Sequence, residues 1–166
     1  MMGSDVSETA ESWISDDMRG LVGRTLRRKT SYPVSGSDIR KWAMATYYPE
    51  LPPAAFLDGN EPLVAPEEFN PFAWRSRKVE PEVQDSPEKL AGIEEPATTV
   101  MLNGGMSCRY GVRMREGDVI ESSMSVTQYF EKEGKRNRML FTETEDRWVN
   151  QRGETVRIMN LTFIRY

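Results

Sequence analysis

Apolar and polar residues alternate along the second half of the chain in a pattern typical of β-strands. The alternation runs through 119–131, 138–149 and 156–164, and a short turn with glycine separates each stretch from the next. Such turns favour hairpins, so the pattern predicts three long strands in an antiparallel meander. Two shorter apolar stretches, 98–102 and 106–114, predict additional strand structure on either side of an Asn-Gly-Gly break.

The first half contains one clear helical pattern. Ile39, Trp42, Ala43 and Thr46 recur on one helical face, which predicts a helix that Ser37 caps and that ends near Tyr48, before a proline. Three weaker patterns are assigned by composition alone: a short helix within 11–18, an extended segment at 24–34, and a long surface loop at 75–96.

Prolines limit the structure that can follow the predicted helix. Eight of them lie between Leu51 and Thr99. Each proline removes a backbone donor and clashes with the preceding helical turn. A long uninterrupted helix therefore cannot form among Pro62, Pro66 and Pro71, and the middle of the chain is predicted to be poor in helix.

Composition excludes several classes of function. The 166 residues carry 22 basic and 26 acidic side chains without a strong basic footprint, so nucleic-acid binding is not expected. Cys108 is the only cysteine and histidine is absent, which excludes an internal disulfide and argues against a zinc site. Without an apolar signal or membrane segment, a single cytoplasmic domain is expected. Basic clusters at 24–29 and 132–138 are either solvated strand and hairpin residues or contacts for coenzyme phosphates.

The order of several segments resembles a known family. SDIRKWAMATYYPE, VAPEEFNPF, LNGGMSCRYGVRMREGDVI and YFEKEGKRNRMLFTETEDRWVNQRGE follow one another as in MaoC-like hydratases and the N-terminal domain of fungal-synthase-like dehydratases. GDVI, EKEGKR and NQRGE are the most specific of these motifs. The resemblance implies an α+β protein with a single hot-dog fold, an antiparallel sheet whose central helix is here short or missing. Residues 1–22 would form an N-terminal segment with a short helix, and residues 23–166 the hot-dog domain.

The loop after the predicted helix departs from this family. Active members carry an Asp and a His there, which hold the water that adds to an enoyl thioester. In TYYPELPPAAF, those positions fall near Tyr48 and Pro53, and neither residue is a useful base at neutral pH. No catalytic residue is therefore assigned. Glu50 and Asp58 remain an alternative acid–base pair, although loop carboxylates are ordinarily just solvated.

A second departure concerns substrate binding. A hot-dog module without a full central helix would leave a cavity against its sheet, and Phe69, Phe72 and Trp74 are predicted to line it around a large acyl group. The alternative is a displaced helix and no cavity. Asn103, Gly104 and Gly105 are predicted to approach the thioester or pantetheine chain, the alternative being a simple turn or bulge.

The resemblance comes nearest to the non-catalytic subunit of heteromeric steroid side-chain enoyl-CoA hydratases. It implies a chain that is inactive alone and that shapes the site of a catalytic MaoC-like subunit bearing the Asp and His, in a heterodimer or heterotetramer. The substrate would be an acyl-CoA, with no cofactor and no metal. Two alternatives stay open: a subunit of a 3-hydroxyacyl-carrier-protein dehydratase, and a non-enzymatic acyl-thioester-binding protein.

Overall fold

The computed structural model describes residues 12–58, 62–73, 85–135 and 137–166. Five antiparallel strands form one sheet in the order β1-β3-β4-β5-β2. The elements in chain order are α1 (Asp16–Arg19), β1 (Thr25–Thr30), α2 (Gly36–Tyr47), a 3-10 turn (Ala54–Phe56), α3 (Pro87–Ala91), β2 (Met101–Tyr110), β3 (Ile120–Glu133), β4 (Arg138–Asn150) and β5 (Thr155–Arg165).

The predicted antiparallel meander is confirmed as β3, β4 and β5. Each pairs with the next along almost its full length. Alternate residues of β3 are buried from Ile120 to Val126, as the alternating sequence requires when one face of a sheet packs on a core. The Asn-Gly-Gly trio does not break β2, which is continuous through it because the extra residue is absorbed as a bulge.

Helix α2 packs on one face of this sheet, called here the inner face. Ile39 and Ala43 are fully buried and share a core with Ile120, Trp148 and Val156 of the strands. The helix ends at Tyr47, since Tyr48 and Pro49 leave the helical conformation. The prediction that Ser37 caps this helix is wrong: Ser35 Oγ accepts the Asp38 amide at 3.1 Å, one half-turn earlier.

The remaining helices are short. Helix α1 begins only after Ser15, whose side chain caps it, so Trp13 of the predicted 11–18 helix precedes it. The stretch predicted as an irregular loop at 75–96 contains α3, which Ser86 caps and which Gly92 ends in a left-handed conformation. Between α2 and β2, the described residues hold only the 3-10 turn and α3, in agreement with a short or missing central helix.

The described part of the N-terminal segment belongs to the same packed unit. Met18 and Leu21 are fully buried, and the Gly23 amide donates to the Val126 carbonyl at 2.9 Å. None of the helices in the described ranges is long and apolar enough to cross a membrane.

Candidate functional site

The loop after α2 carries no side chain suited to acid–base chemistry at the two predicted positions. Tyr48 is 82% exposed, and Pro53 is exposed at the start of the 3-10 turn. Glu50 and Asp58 are exposed as well. Solvent is the ordinary place for charged loop side chains, so their positions do not mark an acid–base pair.

Of the predicted acyl-binding rings, Phe69 lies in the packed core and Phe72 packs against it, partly buried. Phe69 is 1% exposed and meets the ring of Trp42 edge-on at 5.6 Å, while Phe72 meets Trp148 edge-on at 5.0 Å. These rings fill the space between α2 and the sheet. Trp74 lies outside the described residues, and contact of the three rings with an acyl group stays a prediction.

The predicted thioester contacts lie elsewhere, at the edge of the sheet. Asn103 Oδ1 accepts the Gly105 amide at 2.9 Å and holds the β2 bulge in place. Gly104 is needed for packing, because a Cβ there would approach Ile164 Cγ1 to 2.8 Å. Gly105 lines a shallow groove of about 350 Å³ on the outer face with Ser107 and other polar residues. The trio thus has a structural role in the bulge, and its ligand role stays a prediction.

The two edges of the sheet differ in chemistry. Edge strand β1 carries three cations in six residues, TLRRKT, and its Arg28 pairs with Glu121 at 2.6 Å. All ten residues of the other edge strand, β2, are exposed. Its exposed side chains include the large apolar residues Met101, Leu102 and Met106, the last 65% exposed. An apolar edge with free backbone groups is suited to pairing with another strand, whereas a basic edge resists it.

The inner face continues from the core toward β2. Residues paired across an antiparallel ladder point to the same face. Core residue Trp148 pairs with Arg157 of β5, and Arg157 pairs with Tyr110 of β2. The next residues of β5 on this face are half-buried and apolar: Met159, Leu161 and Phe163, called here the β5 stripe. Sequence reasoning missed the stripe because its face is fixed only by the register.

A cation lies at one end of the β5 stripe. The guanidinium of Arg157 stacks 3.4 Å above the ring of Trp148. Burial lowers the pKa of Arg157, although the nearby Asp146 opposes the shift. The Asp146 carboxylate is itself occupied, accepting Ser122 Oγ at 2.6 Å and Trp148 Nε1 at 3.0 Å.

A buried ion pair lies at the other end. Arg165 donates two bonds to Glu88 of α3, at 2.9 and 3.0 Å, and a third to Thr142 Oγ1 at 2.8 Å. Burial alone would raise the pKa of Glu88, but the bonds and charge of Arg165 outweigh it and lower that pKa. Burial and the Glu88 charge raise the pKa of the Tyr129 phenol. This network fixes α3 on the sheet at one end of the inner face.

The most specific sequence motifs prove to be structural. Asp118 of GDVI is 2% exposed and accepts the Arg115 amide at 2.9 Å, Gln151 Nε2 at 3.1 Å and Arg152 Nη1 at 2.9 Å. The latter two residues come from NQRGE. The two motifs therefore join two turns of the fold. In the part of the chain that the structure describes, no cluster of three metal-binding side chains occurs.

Comparison with known proteins agrees with this architecture. A protein-family model for the FAS1-like dehydratase domain region matches residues 20–159. No curated protein matches the sequence significantly.

Three solved structures share the fold. A chain of the ChsH1–ChsH2 complex from Mycobacterium tuberculosis superposes with a TM-score of 0.59 at 17% identity, over 84% of this chain and 83% of that one. A chain of the C-terminally truncated HadBC (3R-hydroxyacyl-ACP dehydratase) complex from the same organism gives 0.52 at 17% identity, over 85% and 98%. The MaoC-like dehydratase from Rhodospirillum rubrum gives 0.50 at 13%, over 84% and 90%. At such identities the likeness shows the fold alone, a single hot-dog domain.

Proposed function

This chain belongs to the family of FAS1-like dehydratase domains, and from that premise we propose that it is the non-catalytic subunit of a heteromeric enoyl-CoA hydratase. Its substrates are bulky lipid or steroid acyl thioesters. A MaoC-like partner subunit supplies the Asp and His, while this chain shapes the acyl-binding face and extends the sheet. No cofactor or metal takes part.

The observation that carries this proposal is the missing acid–base pair. The whole sequence contains no histidine, and the loop that holds the pair in active relatives presents Tyr48 and Pro53. Exposed Glu50 and Asp58 do not replace them. Hydration needs one group that activates water and one that protonates the product carbon, so both must come from another chain.

The edge strand β2 supports a partner at a defined place. It is exposed along its whole length and presents apolar side chains, while the opposite edge is basic. A second hot-dog module that pairs with β2 would cover its backbone groups and bring its own site beside the β5 stripe. The similarity to chains of the ChsH1–ChsH2 complex and of the HadBC complex supports a two-component assembly.

Reconstitution tests the proposal directly. The purified chain, a purified His-bearing MaoC-like protein and their mixture are assayed for hydration of a short and a bulky enoyl-CoA by loss of the enoyl absorbance. We expect no turnover by the chain alone and turnover of the bulky substrate by the mixture. Replacing the partner's Asp or His should abolish the activity of the mixture. Full activity of this chain without a partner would overturn the proposal.

A carrier-protein dehydratase is the second candidate, favoured by the similarity to HadBC, whose name specifies an acyl-carrier-protein thioester. The reconstituted complex should then dehydrate 3-hydroxyacyl thioesters of the carrier protein faster than those of CoA. The reverse preference supports the CoA assignment. If no combination of partners hydrates any enoyl thioester while acyl-CoA still binds, the chain is a non-enzymatic thioester-binding protein.

A further inference from the structure

Among the residues that the structure describes, Arg157 has no anion paired with it. Within the described residues its guanidinium forms no ion pair, and its Nε is buried without a hydrogen-bond partner. The charge of Asp146 acts on Arg157, but no hydrogen bond joins them, and the Asp146 carboxylate accepts bonds from Ser122 and Trp148 instead. A half-buried guanidinium that keeps a donor unpaired loses solvation without compensation, which is costly unless a ligand or partner completes it.

The surroundings of Arg157 limit which kind of ligand can pair with its guanidinium. Trp148 holds the guanidinium plane by stacking, and because Nε is buried, the two Nη groups are the donors that a planar acceptor can reach. A carboxylate matches this fork with two parallel bonds. Tyr110 of β2 borders the same spot, since it pairs with Arg157 in the ladder.

The β5 stripe gives the site a second, apolar part. Met159, Leu161 and Phe163 continue from Arg157 along the inner face, and exposed Met106 of β2 pairs directly with Leu161. From residue 157 to residue 163 the strand rises about 20 Å. Methionine side chains are flexible and adapt to the shape of an apolar ligand.

We propose that this face binds an elongated apolar molecule that ends in a carboxylate, with the carboxylate on Arg157 and the apolar body along the β5 stripe. The inference rests on the proposed function and names its substrate class: an acyl thioester whose acyl group carries a second, anionic end. Arg157 is then a specificity-determining residue that selects such acyl groups against uncharged ones.

Paired ligands of equal length test this inference on the full chain. Decanoate and 1-decanol are titrated by isothermal calorimetry below their critical micelle concentration and solubility limit, respectively. We expect decanoate to bind about tenfold or more tightly than decanol, since hydrogen bonds to charged groups are the strong ones. Arg157→Gln should lower decanoate affinity to that of decanol and leave decanol binding unchanged. Arg157→Lys should keep part of the preference.

Arg109→Gln is the matched control. Arg109 lies one residue before Tyr110 and therefore on the outer face of the same strand, where it is exposed. This variant should retain the full preference for decanoate. Equal affinity of the unaltered chain for both ligands, no binding of either, or a preference that survives in Arg157→Gln would overturn the inference.

The outcome of this binding test can be distinguished from the outcome of the reconstitution assay. Hydratase activity of the complex without a carboxylate preference removes the inference and leaves the proposed function. A carboxylate preference that depends on Arg157, in a chain that activates no hydratase partner, leaves the binding site and removes the proposed function.

Discussion

At the scale of single residues, the pair of Arg165 and Glu88 has the greatest consequence for stability. The two side chains are 5% and 0% exposed and share two hydrogen bonds. Removing one partner leaves a buried charge unpaired, so Arg165→Met should lower the free energy of unfolding by about 3–5 kcal/mol. Urea denaturation followed by circular dichroism measures the loss.

Two further variants test whether that loss of stability comes from leaving a buried charge unpaired. The double variant Glu88→Leu/Arg165→Met should be more stable than Arg165→Met alone, because no charge is left buried. Arg28→Met removes a partner of the exposed pair with Glu121 and should change stability little, since exposed pairs contribute about 0–1 kcal/mol. Equal losses in Arg28→Met and Arg165→Met would contradict this account of the buried pair.

The same pair predicts a loss of stability in acid. The pKa of Glu88 in the folded chain lies below its ordinary value of 4.5, because Arg165 outweighs the effect of burial. A carboxylate with a lowered pKa stabilises the fold above the pKa of the unfolded chain, and this contribution is lost as the pH falls through the folded-state pKa. Stability should therefore decline below about pH 4.5. In Glu88→Gln the decline should be shallower, while in Glu121→Gln it should persist.

The residues of this network could not be found in the sequence. Glu88 and Arg165 are 77 positions apart, and Glu88 stands among other charged residues of a segment that reads as an exposed loop. The missing histidine, in contrast, could be recognised from the sequence, because Pro53 stands near the position where active members of the family carry it. Local composition reveals what chemistry a chain lacks, whereas a buried pair depends on a register that only the folded chain fixes.

At the scale of elements, the β2 bulge explains why two glycines occur together. A side chain at position 104 would meet Ile164 Cγ1 at 2.8 Å and Thr162 Cγ2 at 3.1 Å. Gly104→Ala should therefore lower the free energy of unfolding by about 1–3 kcal/mol, as overpacking does. Ser107→Ala, at an exposed position of the same strand, should stay within about 0.5 kcal/mol of the unaltered chain.

The trio of Asn103, Gly104 and Gly105 shows a limit of prediction from the sequence. The strands of the meander followed from alternation and from turns such as the one at Gly153, because each depends on neighbours in sequence. Whether Asn103 to Gly105 end a strand or bulge within it depends on Ile164, more than fifty residues away. The N-cap of α2 was predicted at the wrong serine. Ser35 and Ser37 have the same capping preference, and the folded structure determines which of them caps the helix.

At the scale of the whole molecule, the apolar edge predicts where a partner binds. Met106→Lys would place a charge on β2 where the partner is expected to bury it, so the affinity for a MaoC-like partner should fall about tenfold or more. Val22→Lys is the control, since Val22 is also exposed but lies at the β1 side of the sheet. Surface plasmon resonance measures both, and equal affinities in the two variants would contradict a partner on β2.

The difference between the two sheet edges also limits how many copies can assemble. A sheet whose two edge strands can both pair with further strands can be extended indefinitely, which is how strands assemble into fibres. Strand β2 is such an edge, whereas three of the six residues of β1 are basic, and basic residues on an edge strand disfavour the addition of another strand. If a partner covers β2 as proposed, growth of the sheet should stop at two modules, and further assembly would have to use other surfaces.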